Sequence, residues 1–100
     1  ATARNESDLD MLRTLGAFAI YCDLADRESI QTCVKIVKSK IKCLDCLVNN
    51  AAYAQPSAVL DLGYDELKSQ FDVNVFGTME LTRLVCPLLN FSVQPTSYFC

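Results

Sequence analysis

The sequence predicts an α/β fold in which short parallel strands alternate with helices. The observations that carry this are an apolar run, Leu44–Val48, ending in the polar pair Asn49-Asn50, and helical apolar periods on both sides of it. A continuous apolar run is how a parallel strand buried on both faces reads. Strand, helix, strand, helix, strand with short joints is the pattern of a parallel sheet with right-handed crossovers.

Each element has its own justification. Ala1–Arg4 reads as the end of a first strand. Ser7 fits an N-cap, with Asp8 and Asp10 in the first turn, where the helix dipole favours carboxylates. Leu9, Leu12 and Leu15 form the apolar stripe of that helix, and Gly16 is its stop. Ala17–Cys22 is a second strand and breaks into Asp23-Leu24. Asp26 caps a second helix whose Ile30, Val34, Val37 and Ile41 share one face. Lys35, Lys38, Lys40 and Lys42 lie toward its C-terminal half and read as a solvated face. Leu44–Val48 is the third strand, and Ala51–Leu62, with Pro56 and Ser57, is a surface connection. From Gly63 at the cap, Leu67, Phe71, Asn74, Thr78, Leu81, Val85 and Leu88 predict one helix of some six turns, against a mean of roughly three. Pro87 marks its last turn. Residues 90–100 show neither period, so the expected division is a domain over 1–89 and an irregular, divergent tail.

Composition narrows the function classes. The apolar share of 51% and charged share of 21% describe a globular chain. A net charge of −3 and the lack of a basic run argue against a nucleic-acid partner. No apolar run approaches the roughly 18 residues of a membrane span. The first residues carry neither an initiator Met nor signal-peptide anatomy, so the expected start is internal to a longer chain.

The six cysteines (Cys22, Cys33, Cys43, Cys46, Cys86 and Cys100) read as reduced thiols in a cytosolic setting, several of them serving as small hydrophobes. Cys43-x-x-Cys46 stands alone, with no histidine and no second pair, so no metal site is expected.

Three strand ends share one rim: Arg4 after the first, Asp23 after the second and Asn49-Asn50 after the third. Ligands of open parallel sheets bind outside the carboxyl ends of strands. A guanidinium, a carboxylate and two amides suit a nucleotide, the Arg pairing with phosphate and the Asp holding amino or hydroxyl donors. Taken singly, each signal is weak, and Asp23 reads better as a loop cap and Arg4 as a surface charge.

Together these segments resemble the short-chain dehydrogenase/reductase family. Leu47-Val48-Asn49-Asn50-Ala51-Ala52 is similar to its LVNNAG segment. Asp23-Leu24 stands where the family has an Asp-hydrophobic pair, and Phe71-Asp72-Val73-Asn74-Val75-Phe76-Gly77 resembles the helix carrying its active-site Asn. Coverage runs from about Ala1 to Leu89. The resemblance implies a partial Rossmann-type doubly wound parallel sheet, lacking its first strand and C-terminal half.

It also implies roles. Asp23 and Leu24 would flank the adenine, and Asn49, Asn50 and Ala51 would line the adenosine side of the cofactor. Asn74 would support a water-linked proton relay to a catalytic Lys, against the plain alternative of an Asn bonding local backbone. Arg4 after the first strand implies NADP, through the 2′-phosphate, where an acidic residue would imply NAD. Gly77 would allow the close helix pairing of a homo-oligomer. ATARN and FDVNVFGTMELTRLVCPLL are similar to fungal-type 1-acyldihydroxyacetone-phosphate reductases, with retinol and 17β-hydroxysteroid dehydrogenase-like members close behind. That implies a small-molecule or lipid-like substrate, and a cytoplasmic location or an endoplasmic-reticulum or lipid-droplet surface for the parent enzyme.

Departures from the family pattern limit the activity expected. The Gly-rich pyrophosphate turn is expected before Ala1, and the Ser and Tyr-x-x-x-Lys group after Cys100. Ala52 stands for the usual Gly, and the tail after Leu89 resembles an out-of-frame or unspliced extension. The expectation is therefore an oxidoreductase segment that does not turn over alone, and that exposes sheet edges and dissolves poorly. Its rivals are a truncated product acting by helix-mediated association and a small CxxC metal module.

Overall fold

The structure is a computed structural model that describes residues 1–89 and the backbone of residues 97–99. Its elements run β1 (Thr2–Ala3), α1 (Glu6–Thr14), β2 (Ile20–Tyr21), α2 (Arg27–Lys40), β3 (Leu47–Asn49), α3 (Tyr64–Phe71), a π-helical segment (Asp72–Gly77), α4 (Thr78–Val85), a 3-10 turn (Cys86–Leu88) and β4 (Ser97–Phe99). This is the expected α/β alternation, with every strand pairing parallel.

Helix α1 begins two residues earlier than Ser7 suggested. Asn5 is the cap, because its extended backbone lets Oδ1 accept the Asp8 N–H at 2.8 Å while Nδ2 donates to Asp8 Oδ2 at 2.7 Å. Ser7 only donates its hydroxyl to the same Oδ1. The helix stops as expected at Gly16, whose φ of +83° suits a residue without a side chain. The Gly16 N–H donates to Arg13 O and the Ala17 N–H to Leu12 O, the double closure of a Schellman motif. Of the apolar stripe, Leu9 is buried and Leu15 is exposed.

Helix α2 starts where Asp26 accepts the Glu28 N–H at 2.9 Å. Ile30, Cys33 and Val34 are buried from one face, and together with Ile20, Cys22 and Val85 they form the core. Leu47, Leu81 and Leu84 pack against that cluster, so α2 and α4 cover the same side of the strands. Ile41 follows the helix in extended conformation and stays partly exposed.

The strands differ from expectation in length and in pairing. Only Ile20–Tyr21 of Ala17–Cys22 is a strand, since its partner β1 is two residues long. β3 lies at Leu47–Asn49, shifted from Leu44–Val48; Leu44 instead forms an isolated parallel bridge with Leu89. The tail, expected to be irregular, contributes β4 over residues 97–99, paired parallel with β3. The remainder of that expectation, residues 90–96 and 100, lies outside the described residues. In place of one three-stranded sheet there are two parallel pairs, β1–β2 and β3–β4.

The predicted six-turn helix is also interrupted. Between α3 and α4 the π segment takes up an extra residue, the kind of local widening frequent at functional sites. Gly77 sits at its end, buried, with a position for a Cβ that overlaps the Leu24 carbonyl oxygen. The close approach expected between two chains is thus made within this one, to the β2–α2 loop.

Candidate functional site

The strand ends meet as the spacing suggested. One cavity of about 220 Å³ is lined by Arg4, Asp23, Leu24, Ala51, Tyr53 and Val73, among others. An adjoining one of about 320 Å³ is lined by Thr2, Leu24, Asn49, Asn50 and Ala51 on its strand side. Thr2, Leu24 and Ala51 belong to both, so the six residues expected at a cofactor line one continuous rim.

Their side chains do different work. Arg4 is exposed at the rim and enters no ion pair with the described residues. Asp23 is half-buried; its Oδ1 accepts the Ala25 N–H at 2.9 Å, and its own N–H donates to Ser29 Oγ at 2.9 Å. That local turn fixes the carboxylate at the strand end and leaves Oδ2 without a partner among the described residues. Asn49 is 8% exposed and turns its amide away from the rim. Its Nδ2 donates to Thr82 Oγ1 at 3.2 Å, and that hydroxyl donates to Thr78 O at 2.8 Å. Asn49 thereby ties the end of β3 to α4, and the half-buried Thr82 hydroxyl satisfies its buried amide. Asn50 and Ala51 are exposed on the rim.

Asn74 has a specific partner. The Tyr53 N–H donates to Asn74 Oδ1 at 2.9 Å, and Asn74 Nδ2 donates to Tyr53 O at 2.7 Å. Both ends of the amide are therefore engaged with one residue 21 positions away. This is not the local backbone bond of an ordinary helical Asn. It pins the segment after Ala51 onto the π segment.

Two participants escaped the sequence reading. Thr82 and the backbone of Tyr53 complete these contacts. A threonine four residues after Thr78 on an apolar helix face was the available signal, since a hydroxyl withdrawn from solvent needs a partner. A Tyr-x-x-x-Lys spacing also occurs at Tyr64–Lys68, opening α3. Tyr64 is 78% exposed and lines neither rim cavity, while Lys68 is paired with Asp72, whose hydrogen bond raises the ammonium pKa.

Electrostatics elsewhere is local. Glu80 accepts a two-pronged hydrogen bond from Arg83, both at 2.9 Å, and faces Arg27 at 3.5 Å. The Arg83 hydrogen bond holds the Glu80 carboxyl below the usual carboxylate range. In the core, a hydrogen bond with Cys33, followed by burial, pushes the Cys22 thiol up. Among the described residues no group of three or more Cys, Asp or Glu is arranged to hold a metal ion.

A parallel α/β layer with a polar rim at its strand ends defines the class of nucleotide-cofactor-binding folds. The pattern of the short chain dehydrogenases matches residues 1–95 of the chain. A short-chain dehydrogenase/reductase of Pestalotiopsis microspora is 38% identical over 91 residues, covering 89% of this chain and 32% of its own length. The tropE short-chain dehydrogenase/reductase of Talaromyces stipitatus is 39% identical over 82 residues, covering 81% and 30%. A short-chain dehydrogenase structure from Streptomyces avermitilis superposes with a TM-score of 0.77 at 34% identity, covering 87% of this chain and 33% of that one. A short-chain dehydrogenase/reductase variant from Serratia marcescens gives 0.81 at 25% identity, covering 96% and 42%. The chain belongs to the short-chain dehydrogenase/reductase family, and it spans about a third of the length of these curated relatives. The match runs past the expected limit at Leu89. No helix among the described residues is long and apolar enough to cross a membrane.

Proposed function

We propose that these residues form the adenosine-side wall of an NADP site in an oxidoreductase that transfers hydride between a nicotinamide and a carbonyl or alcohol. The observation that carries this is the convergence of Arg4, Asp23, Leu24 and Ala51 on one cavity. Family membership supports a nicotinamide cofactor and a small-molecule substrate. Arg4 is what favours NADP: an unpaired guanidinium at the rim suits the 2′-phosphate, which it can grip with two parallel hydrogen bonds. Asp23 Oδ2 would accept from the adenine amino group, and Asn74 would hold the wall in shape through Tyr53. The cofactor, when bound, supplies the hydride chemistry.

The finer features of this reading rest on sequence resemblance. Among them are a lipid-like substrate such as acyldihydroxyacetone-phosphate and a cytoplasmic or lipid-surface location. The hundred residues alone are expected to bind the adenosine half without catalysing. Titration with 2′,5′-ADP and with 5′-AMP tests the cofactor choice: the former should bind about tenfold tighter, and Arg4→Ala should erase that difference. Equal binding of the two by the unmodified chain refutes the NADP assignment. Oxidation of NADPH by this polypeptide with a generic carbonyl substrate refutes its inactivity.

Association through the last helix is the second reading. Exposed Leu67, Phe71, Val75 and Met79 favour it, whereas Gly77 is covered by Leu24. Native mass spectrometry that finds only monomer removes it.

A further inference from the structure

Two nucleophilic side chains of the core carry no role in the chemistry proposed above. Cys22 follows β2, and Cys33 stands between Ile30 and Val34 on the buried face of α2. They are 6% and 1% exposed, belong to one apolar cluster and share a hydrogen bond between their thiols. Free cysteines of a core mostly serve as small hydrophobes packed on carbon. These two meet sulfur to sulfur. Both are held by ordered backbone: the Cys22 N–H donates to Ala3 O at 3.0 Å, and Cys33 lies within the 14-residue helix α2, capped by Asp26.

Cys22 has a further neighbour that Cys33 lacks. It lines the cavity of about 220 Å³ at the rim, beside Asp23 and Leu24, whereas Cys33 lines neither rim cavity. Hydrogen peroxide, hardly larger than two waters, can enter there where a bulkier alkylating reagent does not. The hydrogen bond from Cys22 also draws the Cys33 thiol down, which favours Cys33 as the attacking sulfur. The reaction balances with peroxide as the oxidant. Peroxide transfers one oxygen to the Cys22 sulfur, giving a sulfenic acid and one water. The Cys33 sulfur then attacks the Cys22 sulfur, the S–O bond breaks, and hydroxide leaves with the Cys33 proton as a second water. Two thiols thus lose two electrons and two protons to one peroxide. The new S–S bond, about 2.05 Å, is shorter than any hydrogen bond between thiols, so closing it draws α2 toward the strand end that carries Asp23.

We infer that Cys22 and Cys33 are an oxidation site, a thiol pair that closes to a disulfide and joins the end of β2 to α2 behind the rim. The inference does not depend on the cofactor reading, and its test contains no nucleotide. The full chain is treated with hydrogen peroxide, its remaining thiols are blocked with N-ethylmaleimide, and it is digested with trypsin without reductant. Cleavage at Arg27 separates the two cysteines. The bond should therefore appear as peptides 14–27 and 28–35 joined at a mass two hydrogens below their sum, and dithiothreitol should release them. The native chain should link Cys22 to Cys33 in about tenfold excess over its other pairings. In guanidinium chloride Cys22 should spread among Cys33, Cys43 and Cys46. Cys33→Ser should abolish the link and let Cys22 go on to the sulfinic acid, a gain of two oxygens. Cys22 and Cys33 both staying reduced at a dose that oxidises exposed Cys43 overturns the inference. So does a spread of pairings in the native chain equal to that in denaturant.

Discussion

Replacing Gly77 with alanine sets two effects of opposite sign against each other. Alanine in place of glycine inside a helix favours the folded state by about 1 kcal/mol through helix propensity. Against this, the added methyl overlaps the Leu24 carbonyl oxygen and approaches Leu24 C at 2.8 Å and Leu24 Cβ at 2.9 Å. The obstacle is backbone, held by the Asp23 turn, and cannot swing aside as a long side chain would. Overpacking of this kind costs about 1–3 kcal/mol, and overlap on backbone belongs at the upper end. The net expectation is destabilisation of about 1–2 kcal/mol. Urea denaturation should show a midpoint lowered by about 0.5–1 M with the slope unchanged, for a slope near 2 kcal/mol/M. A raised midpoint for Gly77→Ala would refute the claim that this helix is docked on the β2–α2 loop.

Other perturbations probe the remaining contacts. Asn74→Ala removes both bonds to Tyr53 and should cost about 1–2 kcal/mol; faster exchange of the Tyr53 amide checks it, and unchanged exchange contradicts the clamp. Alkylation of the native chain should modify exposed Cys43 rapidly and buried Cys22 and Cys33 only on unfolding, as peptide mapping by mass spectrometry would show. Glu80 gives a pH dependence of known sign. Its folded pKa is depressed, so its stabilising contribution is complete above the unfolded carboxylate value, about 4.3, and is lost as pH falls through the folded value. Glu80→Gln should flatten the acid limb of the stability profile; an unchanged limb counts against the Arg83 pairing.

The strand–helix order, the Asp26 cap, the Gly16 stop and the meeting of Arg4 and Asp23 were legible because each follows from local chemistry or from strand ends sharing a rim. Other features depended on groups far apart in the chain. Ser7 is a good cap by type, yet Asn5 has the extended backbone that delivers its oxygen to Asp8. The residues from Leu67 to Leu88 step by threes and fours, which cannot reveal an extra residue held by contacts at Tyr53 and Leu24. Asn49 reads as a rim amide, but the half-buried Thr82 hydroxyl claims it. The pairing of residues 97–99 with β3 was invisible because it depends on strands distant in the chain.

The π segment has a consequence for how this helix tolerates change in length. Each residue of an α-helix turns the chain by about 100°. The widened turn absorbs one residue of excess, so the face that α4 turns to the core is kept across it. Deleting one residue from 72–77 removes that excess and leaves a regular helix whose downstream side chains keep their faces. Thr78, Leu81 and Val85 would stay on the core side, whereas Asn74 and Gly77 could not both keep their partners. The extra residue is thus neutral to the packing of α4 and serves the contacts to Tyr53 and Leu24.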